Sequence, residues 1–208
     1  MPRPTHRYTY LAITFHWTMA ALITVQLGWG WWMQRLPAGY AKFEAYQRHL
    51  ELGFVILMLA VVRIAWRMRT PKPPYTEEVL ELPGWHHVAA RASHLALYAM
   101  MIALPLTGWI ALFAVSPEFP VAFFGFGRAP VAPGLAELPL ARADQLEELA
   151  QIVHVGLAWA MVVTIVLHVG GALVHHLIHR DPVLTRMAPI LKELPEPGDE
   201  PTPEPDRA

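Results

Sequence analysis

The chain contains no cysteine. That excludes disulfides, thiolate-bound zinc, iron–sulfur clusters and haem held by thioether bonds. Charge is also scarce, at 16% of 208 residues, against about 25% in an average soluble domain. Neither sign dominates, and the formal net charge of −1 leaves no electrostatic footprint for nucleic acid. What fills the space is apolar: 54% of residues are hydrophobic, with eight tryptophans and nine methionines. Eleven histidines in a thiol-free chain make imidazole the obvious metal ligand.

Four apolar stretches, at about residues 8–33, 45–66, 89–115 and 149–178, are each long enough to cross a hydrocarbon core of about 30 Å. They predict an all-α, integral membrane four-helix bundle over residues 1–192. The first stretch follows a basic start (Arg3, His6, Arg7) but is too long for a signal peptide and ends in tryptophans, so it is read as a retained helix. Ten lysines and arginines fall on the side shared by the two termini and five on the other, which predicts both termini in the cytoplasm of a multi-pass protein. Gly84–Arg91 reads as a helical lead-in to the third stretch. The connection from Ser116 to Glu148 is long, and its Phe119–Phe126 part suits a lid on the membrane surface. From about residue 193 the acidic, proline-rich tail lacks the apolar residues to fold and is predicted to be disordered.

Four histidines lie deep in the apolar stretches. His154 and His168 are 14 residues apart in the fourth, roughly 21 Å along the axis and nearly on one face. Measured from the ends of the apolar runs, His16 lies at the depth of His168, and His49 at that of His154. The residues four before and four after each are Ala12 and Ala20, Ala45 and Gly53, Ala150 and Ala158, and Thr164 and Ala172. Seven of the eight are Ala or Gly, although these make up only about a fifth of the chain. A helix that ligates the iron of a flat porphyrin needs such small neighbours. Helix–helix packing in membranes also favours them, but it does not explain why they centre on histidines that pair by depth. The competing reading is of structural or proton-handling histidines.

Other residues keep two readings each. His94 and His175 either line a cavity beside the inner site and exchange protons with a quinone, or are solvated at headgroup level. Arg63 either pairs with a haem propionate or quinone oxygen, or snorkels to the surface. Arg35, Lys42 and Arg48 either steer an anion towards the outer site or are ordinary interfacial cations. His176 and His179 read as interfacial, and His6, His86 and His87 as surface residues.

Several motifs in this order resemble the prokaryotic cytochrome b561 family: FHW in the first stretch, RHLELGFVILMLAVVRIAWR in the second, SHLALYAMMIALPLTGW in the third, and IVHVGLA with LHVGGALVHH in the fourth, followed by DPVLTRMAP. The similarity covers about residues 8–190 and is greatest to superoxide:ubiquinone oxidoreductase members. It implies two b-type haems in a bacterial inner-membrane bundle, with the family's axial positions falling on His16 and His168 (inner) and His49 and His154 (outer). It also implies electron transfer across the bilayer to ubiquinone, from superoxide or another periplasmic donor. Two alternatives stay open at this point. One is a cytochrome subunit docked to a dehydrogenase or soluble donor; the other is a non-haem metal or proton transporter.

Overall fold

A computed structural model of the chain describes residues 8–70, 77–115, 124, 134, 137–188 and 190–191. The elements, in order, are α1 (Tyr10–Met33), α2 (Tyr40–Arg69), the single turn α3 (Glu77–Leu80), α4 (Gly84–Val115) and α5 (Leu140–Val174), which runs on into a π turn, His175–His179. Four of these helices are long and apolar enough to span a membrane. In lipid a helix is the one open structure that satisfies its own backbone. The hydroxyls within the helices follow the same rule: Thr24 donates to the Ala20 carbonyl, Thr107 to those of Ala103 and Leu104, and Thr164 to that of Ala160. The Phe119–Phe126 lid and the tail from residue 193 lie outside the described residues, Phe124 excepted.

Three of the helices begin before their apolar runs. α2 begins five residues before Ala45, α4 five before Ala89, and α5 nine before Leu149. The reason is that an apolar run ends where the bilayer ends, whereas helical hydrogen bonding continues through amphipathic sequence. α5 has 35 residues, about 52 Å of helix, so its first turns, with Arg142, Asp144, Glu147 and Glu148, project beyond the hydrocarbon. The lead-in at Gly84–Arg91 is continuous with α4.

α1 packs on α2, α2 on α4, and α4 most extensively on α5. α5 makes no comparable contact with α1 or α2 among the described residues. A gap therefore separates α5 from the two helices that carry His16 and His49. The buried core that bridges the bundle at mid-height is Met19, Ile56, Ala60, Met100, Met101 and Met161. Met161 lies seven residues from both His154 and His168 and is 1% exposed. It plugs the helix face between the two histidines with a flexible, close-packing side chain. Met161→Ala is expected to destabilise the bundle by roughly 2 kcal/mol through the cavity it opens, read as an earlier midpoint in detergent unfolding.

The chain after the π turn folds back under the bundle. Thr185, Arg186 and Ala188 are buried, and the Trp17 indole donates to the Met187 carbonyl at 2.8 Å. Arg67 of α2 and Arg186 both lie over the Tyr8 ring. The start of α1, the end of α2 and the end of α5 thus share one end of the bundle, here called the terminal end.

Candidate functional site

The depth pairing of the four histidines becomes spatial pairing. The His16 and His168 ring centroids are 6.2 Å apart towards the terminal end, and those of His49 and His154 are 6.2 Å apart towards the far end. Two imidazoles binding one iron on opposite sides, with each nitrogen at about 2.0 Å, place their centroids about 6 Å apart. The gap between α5 and its facing helices is what lets both pairs stand at this separation.

The far pair opens on a cavity of about 410 Å³, inside the range of about 300–1,000 Å³ common for cofactor sites. Gly30, Gly53, Gly108 and Ala158 line it, along with Phe54. A Cβ on Gly30 would stand 3.0 Å from Cε1 of His49, and one on Gly108 would stand 3.0 Å from Cε1 of His154. Glycine at these positions leaves each imidazole room behind it. Ala45 and Ala150 are buried in helix packing instead, so the small flanks of the far pair divide into Gly53 and Ala158 at the cavity and Ala45 and Ala150 away from it.

Each ring has a distinct setting. Nδ1 of His154 donates to the Leu104 carbonyl at 2.9 Å and lies 3.1 Å from the Thr107 hydroxyl. That places its proton on Nδ1 and leaves Nε2 free as a metal ligand, the usual arrangement for a bound imidazole. Nδ1 of His49 and Oε1 of Gln26 are buried with no hydrogen-bond partner among the described residues, while Gln26 donates to the His49 carbonyl at 2.6 Å. On the terminal side, Arg63 lies 3.3 Å from Nδ1 of His16 and donates to the Phe15 carbonyl at 3.2 Å. It also faces the Tyr98 ring. Arg63 therefore turns into the bundle rather than snorkelling to the surface.

His94 sits against His168, with centroids 5.1 Å apart. That is too close for a partner on the opposite face of a metal, which suits His16 better. Its Nδ1 is 2.6 Å from the Ala90 carbonyl. His175 is not placed beside His168 in the same way. Its Nδ1 meets Asp181 at 2.5 Å, and its ring lies 5.6 Å from those of both His86 and His179. This cluster at the terminal end includes His86 and His179, which read from the sequence as solvated. No group of three or more His, Asp or Glu among the described residues is arranged to hold a bare metal ion. Of the outer cations, Arg35 lies on the cavity rim, Lys42 donates to the Gln34 carbonyl, and Arg48 is paired with the buried Glu51, which cancels its charge.

Gly30, Gly108, Leu104 and Thr107 were not singled out by the sequence. Their only signals are a second tryptophan-flanked glycine in α1 and a Pro-x-Thr-Gly run in α4. The rotation of each helix selects them.

Comparison with known proteins identifies the family. The sequence model of one family, prokaryotic cytochrome b561, matches residues 7–189. Cytochrome b561 homolog 2 of Escherichia coli (strain K12) is 33% identical over 185 residues, covering 87% of this chain and 90% of that protein. Cytochrome b561 homolog 1 of the same organism is 28% identical over 194 residues, with 90% and 99% covered. The probable superoxide oxidase CybB of Yersinia pestis is 28% identical over 188 residues, with 88% and 96% covered. A multi-pass bundle of four apolar helices with histidines facing across its interior is what a haem-based electron carrier requires, and the chain belongs to the prokaryotic cytochrome b561 family of haem b-binding membrane electron-transfer proteins.

Proposed function

We propose that the chain is a dihaem cytochrome of the bacterial inner membrane that oxidises superoxide on the outer side and reduces ubiquinone on the cytoplasmic side. The observation that carries this reading is the pair of facing imidazoles at each of two levels, both 6.2 Å between centroids. His49 and His154 would hold the outer haem b, and His16 and His168 the inner one. Bound there, each haem would supply reversible one-electron chemistry. The terminal end is the cytoplasmic one, by the excess of Lys and Arg on that side.

The protein's own part is positioning, access and protons. Two imidazoles on each iron would leave it no open coordination position, so the residues around a haem edge would govern the approach of an anion. Arg35 on the cavity rim is the cation placed to attract it. The overall balance is two superoxide, one ubiquinone and two protons giving two dioxygen and one ubiquinol. His175, held by Asp181 and flanked by His86 and His179, is placed to pass protons from the cytoplasmic surface. His94, beside His168, is the candidate to orient a quinone near the inner site. Similarity to the Yersinia protein, at 28% identity, supports superoxide as the donor.

Purified protein is expected to contain two b haems by pyridine haemochrome quantitation. After a superoxide pulse, its α-band should appear within milliseconds and ubiquinol should accumulate. Two haems with no reduction by superoxide would pass the donor role to a docked protein.

A further inference from the structure

The two histidine pairs differ in what stands behind the imidazoles. At the far pair, Nδ1 of His154 donates to the Leu104 carbonyl. At the terminal pair, Nδ1 of His16 faces the guanidinium of Arg63 at 3.3 Å. A guanidinium donates and never accepts, so Nδ1 accepts in this contact and the neutral ring carries its proton on Nε2. Iron bound at Nε2 requires the opposite tautomer, with the proton on Nδ1. The hydrogen bond is then lost, but the charge has little freedom to leave. Arg63 is anchored on the Phe15 carbonyl and faces the Tyr98 ring. None of the described carboxylates pairs with it. An arginine turned into a membrane bundle, rather than out to the surface, calls for a role.

We infer that Arg63 sets the reduction potential of the inner haem above that of the outer one, and so gives the electron its direction across the membrane. The inference rests on the dihaem reading. A fixed positive charge behind an axial ligand opposes the extra positive charge of ferric iron and favours the ferrous form. A carbonyl accepting from Nδ1–H does the reverse, because it draws the proton away and makes the imidazole a stronger donor to ferric iron. With haem held by both pairs, the reaction concerned would be the transfer of one electron from the iron at His49/His154 to the iron at His16/His168. No proton or further reactant enters. A unit charge several ångströms from the iron, at an effective dielectric constant of about 20, shifts such an equilibrium by roughly tenfold or more.

The test is a spectroelectrochemical titration of the haem-loaded protein in lipid nanodiscs, resolving two midpoints. Haem content of the unaltered protein is measured first, and fewer than two b haems there refutes the dihaem reading itself. Given two haems, R63Q is expected to keep both and to lower one midpoint by about 59 mV or more, the one-electron equivalent of tenfold. The other midpoint should stay in place. R63K, which keeps the charge, should recover most of the shift. R63M carries the same test should R63Q fold poorly, since it leaves no unpaired polar group. Unchanged midpoints in the neutral variants overturn the inference. So does loss of the inner haem from both neutral variants, which would make Arg63 a clamp on a propionate.

Discussion

Replacing His154 with alanine is expected to halve the haem content, from two b haems per chain to one. The ring faces His49 at 6.2 Å and has no geometric relation to the His16–His168 pair, two heptads away along α5. The change also leaves the Leu104 carbonyl without the imidazole donor, which adds to the loss on that side only. His168→Ala should remove the other haem and keep the one at the far end. Combinations give a sharper result, because residues that act as a unit are not additive. His49→Ala combined with His154→Ala should cost no more haem than either alone, whereas His154→Ala with His168→Ala should leave none. Pyridine haemochrome quantitation per mole of protein reads all of these. Equal loss of both haems from any single variant would rule out two independent layers.

Gly108→Val is expected to lower occupancy of the outer haem by about tenfold or more while the helices and the inner haem remain. A Cβ there would already press on Cε1 of His154 at 3.0 Å, and valine adds two methyl groups whose χ1 is restricted in a helix. The ring must turn away, which breaks its bond to Leu104 and moves Nε2 off the axis facing His49. Gly30→Val should act in the same way on His49, whose Cε1 is also 3.0 Å from the site of a new Cβ. Gly28 provides the control: a Cβ there meets nothing within 4 Å, so Gly28→Val should retain both haems. Haem content is measured alongside far-ultraviolet circular dichroism, and a Gly108→Val protein with full occupancy of both haems would remove the close approach from the account.

Gly28 and Gly30 show where reading the chain stops. They are two residues apart in the same tryptophan-rich segment and look alike as letters. One faces away from every other helix and the other backs an imidazole. Arg48 and Arg35 give a similar lesson among the cations, since one is cancelled by Glu51 and the other borders the cavity. His86 and His179, 93 residues apart, became neighbours of His175 only because the start of α4 and the end of α5 meet at the terminal end. The histidine depths were legible because the bilayer boundary, rather than the helix end, sets them. α2 and α5 start well before their apolar runs, yet the rings at each level lie 6.2 Å apart.

The sequence by itself determined a cysteine-free membrane chain with four apolar helices and two levels of histidine, because span length and helical period are local properties of consecutive residues. The tertiary structure alone decided that α5 stands off from α1 and α2, that glycines back two of the imidazoles, and that Arg63 lies behind one ring while a carbonyl lies behind another. Those features depend on how far apart the helices sit and how each is turned about its axis. Side chains from all four helices fix both together, through the methionine-rich core between the two layers.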